Sequence, residues 1–254
     1  MIPLSDENPT LNTPWMTWVI IGVTIAVWFL VQGAGNPPSV AVSVCELGMV
    51  PGELTRQAPV GLALPLGPGL ACVIDRDPIN VLTPLISIFL HGGWVHLLGN
   101  MLFLWVFGNN IEDSMGPGRF LTFYLLCGLI AAAAHVLVDP ASPVPTVGAS
   151  GAISGVMGAY LVLYPRVRVN MLFFFLIFFK VIPLPAWLVL VWWFLLQVLA
   201  GVPQLSAVRP DVSSGVAVWA HIGGFIAGVV LIKVFENPVL VARRDSIRMI
   251  QHPV

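Results

Sequence analysis

Charge is what this sequence has least of. Asp, Glu, Lys and Arg together make up 9% of its 254 residues, against roughly 25% in soluble domains. The formal net charge is −1, so no basic surface for nucleic acid is expected. There is no HExxH, and the few acidic residues fall mostly in loops, so metal catalysis is disfavoured and no metal site is expected. No inverted repeat is visible, and no apolar run holds an Asp, Glu or Arg at its middle, which argues against a proton-relay channel or a transporter. The opening "MIPLSDENPTLNTPW" lacks a basic n-region, and no small-residue cleavage site follows the first apolar run. That run is expected to be retained as a span. Cysteines number only three. Cys127 lies in an apolar run, whereas Cys45 and Cys72 share one long connection. They form a disulfide if that connection faces an oxidising compartment, and are otherwise two unpaired small residues.

What is abundant is apolar sequence. Hydrophobic residues make up 57% of the chain, and the mean hydropathy is +0.92. A span needs about 20 mostly apolar residues. Such runs lie near 15–31, 94–111, 119–138, 150–164, 186–202 and 216–235, which predicts an all-α, polytopic bundle of six transmembrane helices in a single domain over 1–254. A further run, "NMLFFFLIFFKVI" at 170–182, is too short to span comfortably and ends at Pro183 and Pro185, so it is expected to be interfacial or re-entrant. Charge supports six spans. Arg119, Arg166, Arg168, Lys180, Lys233, Arg243, Arg244 and Arg248 would share one side, and only Arg56, Arg76 and Arg209 the other. By the positive-inside rule both termini are then cytoplasmic, with 240–254 a basic tail at the membrane surface. The long connection at 33–93 becomes extracytoplasmic, and its apolar "VLTPLISIFL" predicts a structured or half-inserted loop.

Polar groups inside spans are costly and are functional candidates by default. Here they are His96, Asn100, Ser150, Ser154 and His221, with His91 just outside and His135 in the third span. In the six-span topology the second, fourth and sixth spans run in the same direction. His96, Asn100, Ser150 and His221 then fall at similar depth, from three helices. A serine hydroxyl is a poor nucleophile until a base takes its proton, and a histidine titrating near neutrality can be that base. Acyl transfer further needs donors for the developing oxyanion. Ser150 stands at a helix N-terminus, where backbone N–H groups lack intrahelical partners. Asn100 is four residues after His96, so both face one side of a helix.

The stretch "TVGASGAISGVMGAY" looks poor as a membrane helix, because glycine weakens helices. Its glycines have a pattern, however. Gly151, Gly155 and Gly158 fall on one face, and Gly224 and Gly228 fall on the face of His221. Small residues let membrane helices approach closely, so two glycine faces in contact would bring Ser150 to His221. The run Ser150–Tyr164 is roughly 22 Å long as a helix, against about 30 Å of hydrocarbon. Ser150 can therefore start below the outer surface, at the floor of a wet pocket. Ser154, one turn deeper, is read as packing with a back-bonded hydroxyl. His135 is expected at a membrane boundary, His252 in the tail, and Trp192–Phe194 facing lipid or a gate.

These residues resemble the rhomboid family of intramembrane serine proteases. "GASG" at 148–151 is similar to the family's GxSG, and "HGGWVHLLGN" at 91–100 to its histidine-rich second helix. "AHIGGFIAG" at 220–228 is similar to its AHxxGxxxG, and "IEDSMGPGRF" at 111–120 to its turn between the second and third helices. The Trp-Arg pair common in the family's first loop is not evident. The resemblance implies a dyad of Ser150 as nucleophile and His221 as general base, with His96, Asn100 and the Ser150 backbone N–H as oxyanion donors. It implies a structural role for Glu112, no cofactor, and single-span membrane proteins as substrates. His91 is itself expected to pack or hydrogen-bond in the first loop near the site, a structural part. The expected setting is the bilayer of a bacterial cytoplasmic membrane, with the site open to the extracytoplasmic side. The rival expectation is a catalytically inactive relative that binds transmembrane helices. Oligomeric state is not legible.

Overall fold

The computed structural model describes residues 2–67, 69–175, 178–202 and 217–243. Outside them lie the start of the sixth predicted span at Val216, Arg209, and most of the predicted basic tail, including Arg244, Arg248 and His252.

The chain opens with a strand, β1 (Ile2–Asp6), and a sixteen-residue apolar helix, α1 (Trp15–Leu30). Pro14 at the N-cap of α1 offers no side-chain acceptor. The orphan N–H groups are satisfied from elsewhere: Glu112 accepts from Met16 N at 2.9 Å, Thr17 N at 2.7 Å and the Thr17 hydroxyl at 2.8 Å. The adjacent Asp113 accepts from the backbone of Leu11 and Asn12. Two neighbouring carboxylates thus tie the start of the first helix to the end of another, nearly a hundred residues on.

The long connection is folded. It holds α2 (Pro37–Leu47), the single turn α3 (Pro51–Leu54), the hairpin β2 (Ala63–Gly67) and β3 (Leu70–Val73), and the turn α4 (Thr83–Ile86), which runs on into a 3₁₀ turn at Ser87–Phe89. Prolines at the first positions of α2, α3 and α4 need no N–H there and pre-set φ. Cys45 on α2 and Cys72 on β3 are joined by a disulfide. Val50, Ala58 and Ile74 make a small core under this layer.

Next come α5 (Trp94–Met115), α6 (Pro117–Val138) and α7 (Ser150–Leu163). Gly116 makes the α5–α6 corner at φ +83°, a backbone hand that only glycine adopts cheaply. The remaining elements are β4 (Arg168–Phe175), β5 (Phe178–Pro185), α8 (Ala186–Gly201) and α9 (Val218–Phe235). Helices α6 and α9 are long and apolar enough to cross a membrane, and so is the pair Thr83–Phe89 and Trp94–Met115 if its 89° bend is one broken span. α1, α7 and α8 are shorter apolar helices. Trp18, Val23 and Phe29 on α1 and Leu188, Trp192 and Leu196 on α8 are exposed, which suits lipid rather than water.

The structure departs from the all-α expectation in its strands. The described residues of the run at 170–182 lie in two antiparallel strands, β4 against β5, registered from Arg168 opposite Pro185 to Phe175 opposite Phe178. Phe, Val and Ile favour an extended, half-buried surface, and the prolines sit on the edge strand β5. The other side of β4 is paired by β1, Ile2 opposite Leu172 and Asp6 opposite Val169. The partner strand comes from the start of the chain, more than 160 residues before β4, which no local pattern announces.

Helix α7 stands at the centre. Every residue from Gly151 to Tyr160 is buried, and α7 packs on α5, α6, α8 and α9. Below it, the Tyr160 hydroxyl donates to Asp6, which also accepts from Asn110 at 2.7 Å. The N-terminal strand is thereby fastened to the far end of the helix that begins at Ser150.

Candidate active site

The glycines set the distance between α7 and α9. A Cβ at Gly224 would lie 2.0 Å from the Gly151 carbonyl oxygen, and one at Gly228 1.9 Å from that of Gly155. A Cβ at Gly158 would lie 2.2 Å from the Phe225 carbonyl oxygen. No side chain fits in these contacts, so the backbones touch. Gly151 and Gly155 do more than face α9. Their missing Cβ atoms point at Ala131 and Cys127 of α6, at 2.7 and 2.5 Å. α7 is therefore squeezed between two helices, not laid against one.

This approach puts Ser150 Oγ 2.7 Å from His221 Nε2. The serine is the first residue of α7, and the histidine is one turn into α9. The other ring nitrogen, Nδ1, is 2.9 Å from Gln197 Oε1 on α8. Trp193, one turn before Gln197, lies over the ring with centroids 5.8 Å apart. Ser154 donates to the Ser150 carbonyl at 2.6 Å. Its hydroxyl is spent on its own helix.

α5 supplies the opposite wall. Asn100 is buried, and its Nδ2 has no hydrogen-bond partner among the described residues. A buried, unmet donor is costly, and at an acyl-transfer site its natural acceptor is an oxyanion. His96 Nδ1 accepts from Gly92 N at 3.4 Å, which leaves the proton on Nε2 and makes that nitrogen a donor. A Cβ at Gly148 would lie 2.7 Å from His96 Nε2, and Gly148 has φ +130°. The first glycine of "GASG" thus lets the loop pass the His96 ring. Ser150, His221, Asn100 and His96 all line one cavity of about 830 Å³, and no Asp, Glu, Lys or Arg is among its described lining residues. In such surroundings fixed hydrogen-bond donors act more strongly on a developing charge than in water.

The remaining predicted residues sit around this site. His91 N donates to Gln32 Oε1 at 2.8 Å, and Gln32 Nε2 returns a bond to the His91 carbonyl at 2.8 Å. The His91 ring stands edge-on to His96, centroids 5.0 Å apart. Glu112 is remote, at the far end of α5, where it caps α1. His135 is 3.1 Å from the Thr146 hydroxyl and so contacts the loop that leads into Ser150. Sequence reasoning missed Gln197. The signal was available, because a lone amide in an apolar helix falls under the rule that singled out Asn100. It also missed Gly148 as a close-approach position, which only the fold reveals.

A family model described as "Rhomboid domain" matches residues 79–237. Curated relatives include RHOMBOID-like protein 5 of Arabidopsis thaliana, 31% identical over 164 residues, covering 61% of this chain and 53% of that one. Rhomboid protease GluP of Bacillus subtilis is 44% identical over 82 residues, 32% of this chain and 15% of its own length. Putative rhomboid protease YdcA of the same organism is 39% identical over 82 residues, 32% of this chain and 39% of its own. The chain thus spans about half or less of the length of these relatives.

Proposed function

The chain belongs to the rhomboid family, and from that premise we propose that it is an intramembrane serine endopeptidase working through a Ser150–His221 dyad. The observation that carries this reading is the 2.7 Å contact between Ser150 Oγ and His221 Nε2, in a cavity that also holds the unmet Asn100 amide. It is a multi-pass membrane-embedded protein. We read its topology as six spans with both termini cytoplasmic. Support comes from the sided distribution of basic residues and from a disulfide in the first connection, which belongs in an oxidising compartment. The site then opens to the extracytoplasmic side, and the setting we propose is a bacterial cytoplasmic membrane.

Substrates in this reading are single-span membrane proteins. A helix hides its carbonyls, so the substrate must unwind locally, and small or helix-weakening residues near the cut favour that. Approach is lateral, between α8 and α5. His221 Nε2 takes the Ser150 proton as Oγ bonds to the scissile carbonyl carbon. The carbonyl electron pair moves onto oxygen, where the Asn100 amide, His96 Nε2–H and the Ser150 N–H receive it. The carbon–nitrogen bond then breaks, and the imidazolium hands its proton to the leaving amine. Water, deprotonated by His221, releases the acyl group and restores Ser150.

The rival reading is a relative that binds transmembrane helices without cutting them. A fluorescent single-span reporter in liposomes separates the two. Wild type is expected to yield product, and Ser150→Ala and His221→Ala none while remaining folded. Unaltered cleavage in either variant defeats the dyad. Reporter binding without cleavage by wild type selects the rival.

A further inference from the structure

The dyad reading leaves one polar group of the site without a role. Gln197 sits in α8 among Leu195, Leu196, Val198 and Leu199, where a lone amide is costly to keep. Its oxygen is 2.9 Å from His221 Nδ1. Resting on the proposed dyad, we infer that Gln197 is the positioning residue of the base, holding the His221 imidazole in the tautomer that can accept the Ser150 proton.

A neutral imidazole carries one N–H, and the other nitrogen accepts. To act as a base toward Ser150, Nε2 must be bare, so the proton must be on Nδ1. An Nδ1–H needs an acceptor, and the Gln197 carbonyl oxygen lies at hydrogen-bonding distance. Were the proton on Nε2 instead, that N–H would point at Ser150 Oγ and the hydroxyl could not be activated. A base oriented by a third group is the general pattern of activated nucleophiles, and loss of the correct tautomer is what makes the third group matter. Here that group is a neutral amide.

Packing gives the amide its aim. Trp193, Gln197 and Gly201 recur every four residues and so form one stripe of α8. Trp193 covers the His221 ring at 5.8 Å and Phe225 at 6.1 Å, and Gly201 lies under the Trp219 indole. The stripe is the seam by which α8 seats on α9, and Trp192, Leu195, Leu196 and Leu199 point away from it, exposed. The tautomer is therefore set only while α8 is seated, which ties the competence of the base to the position of the helix beside which substrate approaches.

The test uses the full chain in detergent or liposomes. Gln197→Met keeps length and shape without the acceptor, and Gln197→Glu keeps an acceptor. A net hydrogen bond of ordinary strength corresponds to roughly a 3- to 10-fold effect. Gln197→Met is expected to lower kcat and the labelling rate of Ser150 by a small fluorophosphonate by that factor, with KM unchanged. Gln197→Glu is expected to recover most of both rates. In nitrogen-15 histidine spectra, His221 of wild type should show the Nδ1–H tautomer, and Gln197→Met a shift toward Nε2–H. Wild-type rates in Gln197→Met overturn the inference. So does equal loss in both variants with a raised KM, the mark of a merely structural role. An Nε2–H tautomer in wild type overturns it without any variant. Failure of the dyad itself looks different: wild type then resists the fluorophosphonate as Ser150→Ala does.

Discussion

Replacing Gly224 with alanine should disable the site without touching any group that takes part in the chemistry. The added Cβ would stand 2.0 Å from the Gly151 carbonyl oxygen, a backbone atom, whereas ordinary contact begins near 3.4 Å. Both partners are helix backbone, so no side chain can swing aside. The two helices must part by about 1.4 Å, the difference between those distances. Gly151 adjoins Ser150, and Gly224 is one turn from His221, so the parting falls on the dyad. The 2.7 Å Oγ–Nε2 distance then opens to about 4 Å, past hydrogen-bonding range. A misplacement of about 1 Å at reacting groups can cost about 100-fold, and overpacking itself costs about 1–3 kcal/mol of stability. Gly224→Ala should therefore retain its fold at reduced thermal stability and lose at least about 100-fold in reporter cleavage and in fluorophosphonate labelling. Gly22→Ala is the control. Among the described residues nothing lies within 4 Å of a Cβ at Gly22, and alanine is the better helix former by about 1 kcal/mol, so this variant should cut normally and melt no lower. Wild-type cleavage by Gly224→Ala would refute the idea that backbone contact between α7 and α9 sets the dyad distance.

Asn100→Ala should lower kcat by about 100- to 1000-fold with little change in KM, as for loss of one oxyanion donor; a pure KM effect in steady-state assays would assign Asn100 to substrate binding instead. Glu112→Ala removes three charge-assisted hydrogen bonds to the start of α1, and about 2–4 kcal/mol of stability should go with them. Thermal melts in detergent read that loss, and an unmoved midpoint would mean water replaces the carboxylate. Breaking the Cys45–Cys72 bond by Cys45→Ser frees a 27-residue separation, which chain entropy values at about 3.5 kcal/mol. The first connection should then become more sensitive to proteolysis than the helices, and unchanged cleavage patterns would count against a structural role.

The sequence alone marked out six of the helices and the candidate chemistry, but not α2, α3 and α4 in the first connection. Apolar runs with proline and glycine at their ends give α1, α5, α6, α7, α8 and α9 within a few residues, because an apolar run and its proline and glycine breaks are local. Ser150, His221, Asn100 and His96 stood out because polar groups in apolar runs need a reason, and "GASG" and "AHIGGFIAG" are local strings. The fold alone decided what depends on two distant segments meeting. β1 finds β4 some 165 residues away, so the Phe-rich run, expected to be interfacial or re-entrant, is built of paired strands. Gly151 and Gly155 turn out to admit α6 as well as α9, since spacing gives a face but not the neighbour on it. Gly148 yields to the His96 ring, and Glu112 caps a helix from another part of the chain. Gln197 belongs to both lists. Its oddness was written in the sequence, but its role exists only where the seam of α8 on α9 carries an amide oxygen to Nδ1. Backbone hydrogen bonding and hydrophobicity act along the chain and can be read there, whereas a site is made of contacts across it.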